Sequence, residues 1–277
     1  MNFKNQHIVT SAYVKEWCDP RTPDGHTPYV WLVSKDGQSV YNKSPKNIFN
    51  ESDFYTSFDE NGNRNLELEH YLHKIEDDFL AARKVIGEKH PINDFEFQSI
   101  VLFIASTYVR TKLQKREQKE IWSDLLKIYQ RIGINQSIPE IYKQIENLHD
   151  QPLPFHISTF LNITVPVLLR MKLTIMATSS KTGFITSDNP VLWFDPSLWF
   201  MNKPISLFGL ESPYIEILLP LSPNYLVQLT WNDSEQYLFV DSQPELVNEI
   251  NKLIVYFSDE YVVMDHDEPN PYWFEKN

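Results

Sequence analysis

The sequence predicts an α+β fold, a central helical bundle flanked by β elements from the N- and C-terminal segments. Three observations carry this prediction. The first sixty residues hold β-prone runs separated by turn residues. Between about residue 65 and residue 175, apolar side chains recur every three to four positions, the helical period. Beyond residue 180, short β-branched and aromatic runs return with one amphipathic helix among them. No internal repeat, low-complexity segment or linker divides the 277 residues, so a single domain is expected. Its parts are β-rich over 1–60, helical over 65–175, and β-rich with one helix over 180–277.

The elements follow in order. Tyr-Val-Trp-Leu-Val at 29–33 reads as a strand, and Lys35-Asp36-Gly37-Gln38 turns it toward a second strand at Ser39-Val40-Tyr41. Leu68, Leu72, Ile75, Phe79, Ala82 and Ile86 form one stripe and predict a helix over 66–88. Asn93 and Asp94 supply the cap of a helix starting near Phe95. Residues 97–109 carry no charge, and a helix wet on no face is a central buried one. After Arg110 the same helix is expected to run on, amphipathic, to Arg131, with Ile121, Trp122, Leu125, Ile128 and Tyr129 inward and Gly133 ending it. Helices are also expected over 139–148, with Pro139 near its first turn, and over 155–171, kinked at Pro166. In the last third, Ser187-Asp188-Asn189-Pro190 is a turn. Strands at 215–219 and 225–231 are joined by Pro220-Leu221-Ser222-Pro223-Asn224, and a helix over 246–256 precedes a final strand at 261–264.

Charge and composition exclude several functions. Lys and Arg total 25 against 37 Asp and Glu, a net charge of −12 that opposes broad electrostatic capture of nucleic acid or anionic lipid. The 7 glycines are widely scattered, so no glycine-rich loop can cradle a phosphate, and neither NAD nor flavin is expected. The one cysteine, Cys18, permits no disulfide and no thiolate zinc site. A lone thiol without a recognisable secretory signal suits a reducing compartment, so a cytoplasmic protein is expected. The longest uncharged apolar stretches, 97–109 and 157–169, fall short of the ~18–20 residues that span a bilayer, and no membrane partner is expected.

Arg110 is the most informative single residue. It follows the uncharged run, and a guanidinium cannot shed its proton to escape burial, so it needs a carboxylate or an anionic ligand. Glu69 and Glu76, seven residues apart, lie about 20° and about 10 Å from one another on the preceding helix and within its reach. Three fates are open to Arg110: a structural ion pair, an anion-positioning group in a pocket, or a snorkelling side chain in water. His73 between the glutamates allows a Glu69-His73-Glu76 metal triplet but reads more readily as a solvated face, and His266-Asp267-Glu268 near the C-terminus reads as an acidic tail. Lys112, Lys115, Arg116 and Lys119 likewise read as a solvated helix face. His7 alone would read as surface decoration.

His7-Ile8-Val9-Thr10-Ser11-Ala12-Tyr13-Val14-Lys15-Glu16-Trp17 is similar to the opening His-x-Val-Pro-x-x-Tyr-Leu-x-x-Phe of an uncharacterised, mainly bacterial family known as domain of unknown function 4238. Ser44-Pro45-Lys46-Asn47 with Glu51-Ser52-Asp53-Phe54-Tyr55-Thr56 resembles its segment ending in Phe-Tyr-Thr. Glu69 and Glu76 match its Glu-x6-Glu helix, Arg110-Thr111 its Arg-Thr-Pro, and Phe184-Ile185-Thr186-Ser187-Asp188-Asn189-Pro190-Val191 its Phe-Ile-Thr-Ser-Asp-Asn-Pro-Val. Pro220-Leu221-Ser222-Pro223 also corresponds, whereas Thr10 and Lys112 stand where the family has proline. The resemblance implies no established activity. It selects His7, Glu69, Glu76, Arg110 and Asp188, a polar set that suggests a shared pocket.

Three functional readings follow. The first is a metal-assisted hydrolase of the phosphoesterase or nuclease kind in a bacterial conflict or phage-defence setting. There His7 is general base or metal ligand, Glu76 and Asp188 are acid–base groups or ligands, and Arg110 clamps the substrate anion with Tyr13 and Asn189 beside it. Glu69, Glu76 and Asp188 are its expected metal set, whose hard oxygens favour Mg²⁺ or Mn²⁺ over zinc. The second is a ligand-sensing or protein-interaction module in which the same set holds a small anion or buttresses the fold. The third is a nucleic-acid effector that turns the 112–131 helix toward phosphate.

Overall fold

The computed structural model describes residues 5–59, 61–199, 209–232 and 238–275. The N-terminal part contains β1 (Asn5–His7), α1 (Ser11–Val14), β2 (Val30–Ser34), β3 (Val40–Lys43), β4 (Asn50–Ser52), β5 (Ser57–Phe58) and β6 (Arg64–Asn65). The helical part follows with α2 (Glu67–Gly87), α3 (Asp94–Val109), α4 (Lys112–Arg131), α5 (Ile134–Ser137), α6 (Pro139–Asp150) and α7 (Pro152–Leu168). The C-terminal part contains β7 (Lys172–Ala177), β8 (Thr186–Ser187), β9 (Leu192–Phe194), α8 (Pro196–Trp199), β10 (Glu216–Ser222), β11 (Tyr225–Thr230), β12 (Leu238–Asp241), α9 (Pro244–Phe257) and β13 (Tyr261–Met264). The fold is α+β, with helices central and strands at both ends.

The core forms where the sequence patterns direct it. The α2 stripe is buried, and its Phe79 ring stacks on Phe103 of α3 with centroids 3.6 Å apart and planes within 5°. Asn93 and Glu96 close a reciprocal capping box that starts α3. The helix then packs between α2 and α7 and buries side chains on every face. The β2–β3 hairpin turns at Gly37, whose φ of 73° suits glycine and whose N–H reaches the Ser34 carbonyl at 2.7 Å.

Strands from the two ends of the chain join in one sheet. β13 lies between β2 and β8 in the order β3-β2-β13-β8, all antiparallel. A second sheet runs β12-β7-β11-β10-β9, with only the β12–β7 pair parallel. Buried hydrogen bonds stitch residues 13–17 to the C-terminal part. The Tyr13 hydroxyl donates to the Pro220 carbonyl at 2.7 Å, which can only accept, and so takes the Thr186 hydroxyl, also at 2.7 Å, as its donor. The Trp17 indole N–H reaches the Phe184 carbonyl at 2.7 Å.

Four expectations are corrected. The helix expected to run from Phe95 to Arg131 breaks at Arg110-Thr111, because Thr111 is extended (ψ 161°) and its hydroxyl caps α4 by accepting the Gln114 N–H. The inner face expected on α4 is only half-buried, and Ile121 and Ile128 are exposed. The helix expected to reach Met171 ends at Leu168, and Lys172–Ala177 becomes a central strand. Pro220-Leu221-Ser222 belongs to β10 as a bulged strand end, so Pro223-Asn224 alone forms the turn.

Phe103→Ala removes a fully buried ring and is expected to lower unfolding free energy by about 3–5 kcal/mol in urea titrations. Ile163→Ala, at a side chain that is 62% exposed, is expected to cost under about 1 kcal/mol by the same measurement.

Candidate functional site

Four segments bring polar side chains together. β1 carries His7, paired in register with Asn50 of β4. The neighbouring Gln6 is buried and grips the Phe54-Tyr55-Thr56 segment: its amide donates to the Thr56 hydroxyl at 2.7 Å and its carbonyl accepts the Tyr55 N–H at 2.9 Å. α2 presents Glu69 and Glu76 two turns apart. Arg110 stands at the joint where α3 ends and α4 begins.

Arg110 is 0% exposed, and its Nη1 lies 2.7 Å from Glu76 Oε1. This contact is an ion pair that occupies Nη1. Nε and Nη2 are buried without a hydrogen-bond partner among the described residues. Burial alone would lower the Arg110 pKa, yet the Glu76 carboxylate, with Tyr55 and Glu69, more than offsets this, and the net direction is upward. The cation therefore persists although its own side chain has no water-facing surface.

The other groups respond to the same burial. His7 is pushed below its ordinary value by desolvation, with Glu76 opposing and Arg110 reinforcing, so the imidazole is held neutral at pH 7. Its Nδ1 is buried without a hydrogen-bond partner among the described residues. Glu69 is pushed upward by burial against the hydrogen bond from Tyr55, and its Oε2 is also buried and unpartnered. Burial strongly raises the Tyr55 phenol, which stays protonated. The cluster thus combines a neutral base, a carboxyl group whose pKa burial raises, and a fixed cation. His7, Glu69 and Glu76 are partly exposed and form its only route to solvent among these residues.

Asp188 has a different position. Its Oδ1 accepts the Asp259 N–H at 2.8 Å, and its Oδ2 accepts those of Glu260 and Tyr261 at 2.7 and 3.0 Å. Burial nevertheless outweighs these donors and pushes its pKa up to about 6. Both oxygens are committed to fixing the start of β13. The expected Glu69–Glu76–Asp188 metal set is therefore not assembled, and no group of three His, Cys, Asp or Glu is placed to hold a metal among the described residues. Tyr13, expected beside substrate, is a fully buried core ring. Asn189, expected there too, donates to the Phe257 carbonyl at 2.9 Å.

A groove of about 230 Å³ runs beside the cluster, with Asp188, Lys112 and Tyr261 in its walls; Ile8 and Thr111, chain neighbours of His7 and Arg110, also line it. A larger cleft of about 540 Å³ lies around Cys18 and Arg83 and shares no residue with the cluster. His73 is exposed. Arg116 pairs with Asp259, and Lys115 with Glu51, which partly neutralises the basic face of α4. Tyr55 and Gln6 were not among the expected site residues. The Phe-Tyr-Thr signature contained the signal for Tyr55, whereas nothing in the sequence marked Gln6 as buried.

Two outcomes test this geometry. Glu76→Leu strands a buried cation and is expected to cost about 3–5 kcal/mol in denaturant unfolding, with Arg110→Met in the same chain recovering most of it. Because His7 binds its proton less readily folded than unfolded, its contribution is present above pH 6.5 and is lost as pH falls through the lower folded value. NMR titration should place the His7 midpoint below 6.5, and Glu76→Gln should lower it further by removing the opposing charge.

No curated protein and no solved structure matches the chain. Among the described residues, no helix is long and apolar enough to cross a membrane. The family model described as "Protein of unknown function (DUF4238)" matches residues 5–268, a span that contains His7, Glu69, Glu76, Arg110 and Asp188. The chain belongs to that family.

Proposed function

We propose that the protein is a hydrolase that acts by general acid–base catalysis on a small anionic substrate of the phosphoester class. The observation that carries this reading is the set of unpartnered buried atoms on His7, Glu69 and Arg110, three groups of different chemistry in one cluster. A fold-only ion pair calls for aligned partners, because each orphaned buried donor or acceptor costs about 1–3 kcal/mol. Strain of that kind is useful when a substrate supplies what is missing.

The roles follow from charge. Arg110 has donors to spare beyond its Glu76 contact, and these suit an anionic oxygen. With Glu69 and Glu76 both ionised the cluster would repel that anion. Uptake of a proton by Glu69, whose pKa is already raised, removes the conflict and loads a general acid. Neutral His7 then takes a proton from the attacking water, and Glu69 gives its proton to the leaving oxygen. Tyr55 holds Glu69 in place, and the Glu76–Arg110 pair orients both helices.

The test is hydrolysis of bis-p-nitrophenyl phosphate and of nucleotides by the purified chain. His7→Ala and Glu69→Gln should each cut turnover by about 10²-fold or more with unchanged thermal midpoints. Full activity in both variants, or no turnover by the wild-type chain, would refute the proposal. The latter result, combined with unfolding of Arg110→Ala, would favour the non-enzymatic reading in which the cluster buttresses the fold.

A further inference from the structure

The groove beside the cluster has walls that acid–base chemistry alone does not require. Ile8, Leu32 and Ile48 give it buried aliphatic surface, and Phe49, Tyr41 and Tyr261 give it rings. The two tyrosines meet edge to face with centroids 6.0 Å apart. Burial and the neighbouring Tyr261 push the Tyr41 phenol up to about 12, so it meets a ligand as a neutral hydroxyl. Phe49 sits in the left-handed region at φ 53°, where a bulky residue is an outlier. Its carbonyl is pinned there by the Ile8 N–H at 2.7 Å. Backbone strain of this kind clusters at ligand clamps.

Charge and size narrow the occupant. Of the wall carboxylates, Asp188 is committed to three backbone N–H groups and Asp259 to Arg116, which leaves the exposed Glu260. Lys43 and Lys112 are exposed and form no ion pair among the described residues, although Lys112 acts on Asp259 through its field. Buried apolar walls with lysines only at the rim suit a neutral ring whose attached phosphate stays outside. The volume of about 230 Å³ is below the roughly 300–1,000 Å³ of pockets that enclose a whole drug-sized ligand, so it admits one ring system. Asn50 Nδ2 donates to the Lys46 and Ile48 carbonyls, both at 3.2 Å, which leaves its Oδ1 to accept from a ligand N–H.

We infer that the groove is the leaving-group subsite of the proposed hydrolase and takes the base of a nucleotide, a flat heteroaromatic ring bearing an N–H donor. The assignment rests on the hydrolase reading for the phosphate, because Ile8 and Thr111 directly follow His7 and Arg110 and so place the groove next to the reacting group. Water adds to phosphorus, the P–O bond to the nucleoside breaks, and the departing oxygen takes the Glu69 proton.

Calorimetric titration of the full chain with adenosine monophosphate, with the same sugar phosphate lacking its base, and with phenyl phosphate tests the assignment. The nucleotide should bind about tenfold or more tighter than the sugar phosphate. Phenyl phosphate, which has a ring but no N–H, should fall between them. Phe49→Asn, which suits the left-handed backbone, should keep the wild-type circular dichroism spectrum. It should weaken nucleotide binding about tenfold or more and leave sugar phosphate binding unchanged. Tyr41→Leu should do the same. Equal binding of the nucleotide and either comparison ester would overturn the assignment, as would wild-type nucleotide affinity in both variants. A nucleotide bound through Phe49 and Tyr41 but never cleaved would support the ring site and refute the hydrolase reading. Turnover of the sugar phosphate as fast as of the nucleotide would refute the ring site and leave the hydrolase reading intact.

Discussion

A cation sealed from water must be answered by a negative charge, and the Arg110–Glu76 pair meets that requirement at the joint between two helices. Removing the pair as a unit, in favour of apolar residues of similar volume, need not destabilise a protein, whereas removing one half strands the other. What the pair fixes is geometry. α3 stops where Arg110 leaves the helix, Thr111 restarts the chain in a new direction, and everything α4 touches depends on that angle. His7, Glu69 and Tyr55 come under the field of the same guanidinium.

The first half of α4 is held from a second side by Asp188. That carboxylate gathers three successive backbone N–H groups at 259–261, and the Asp259 carboxylate in turn accepts from Nη1 and Nη2 of Arg116 at 2.9 and 2.5 Å. Two half-buried carboxylates thus have unlike tasks. Glu76 balances a side-chain cation, and Asp188 organises main chain. Both are compatible with the family's polar signatures, because a shared fold needs its backbone locks as much as its reactive groups.

Much of this was legible from residue order. The α2 stripe, the uncharged α3 and the need of Arg110 for a glutamate follow from periodicity and the cost of burying charge. The break at Arg110-Thr111 did not, because the helical period runs through it and only the Thr111 cap and its extended backbone reveal the change of direction. β7 was hidden for a related reason. Lys-Leu-Thr-Ile-Met-Ala is a nearly continuous apolar run, and a strand buried on both faces lacks the alternation that would separate it from a helix end. A turn aspartate such as Asp188 looks the same in sequence whether it faces solvent, a ligand or peptide N–H groups, so its hold on residues 259–261 is not legible there. The resemblance marks positions such as Tyr13 and Asn189 without saying whether they serve chemistry or packing.

The position of β13 has a consequence for biosynthesis. The strand occupies an interior slot between β2 and β8, yet it leaves the ribosome after every other strand among the described residues. Until then β2 offers an unsatisfied ladder at Leu32 and Val33, and β8 offers another at Thr186 and Ser187. A nascent chain in that condition presents two sticky borders to its surroundings, so a chaperone that shields them, or a translation pause that shortens the wait, bears directly on how much native protein a cell recovers.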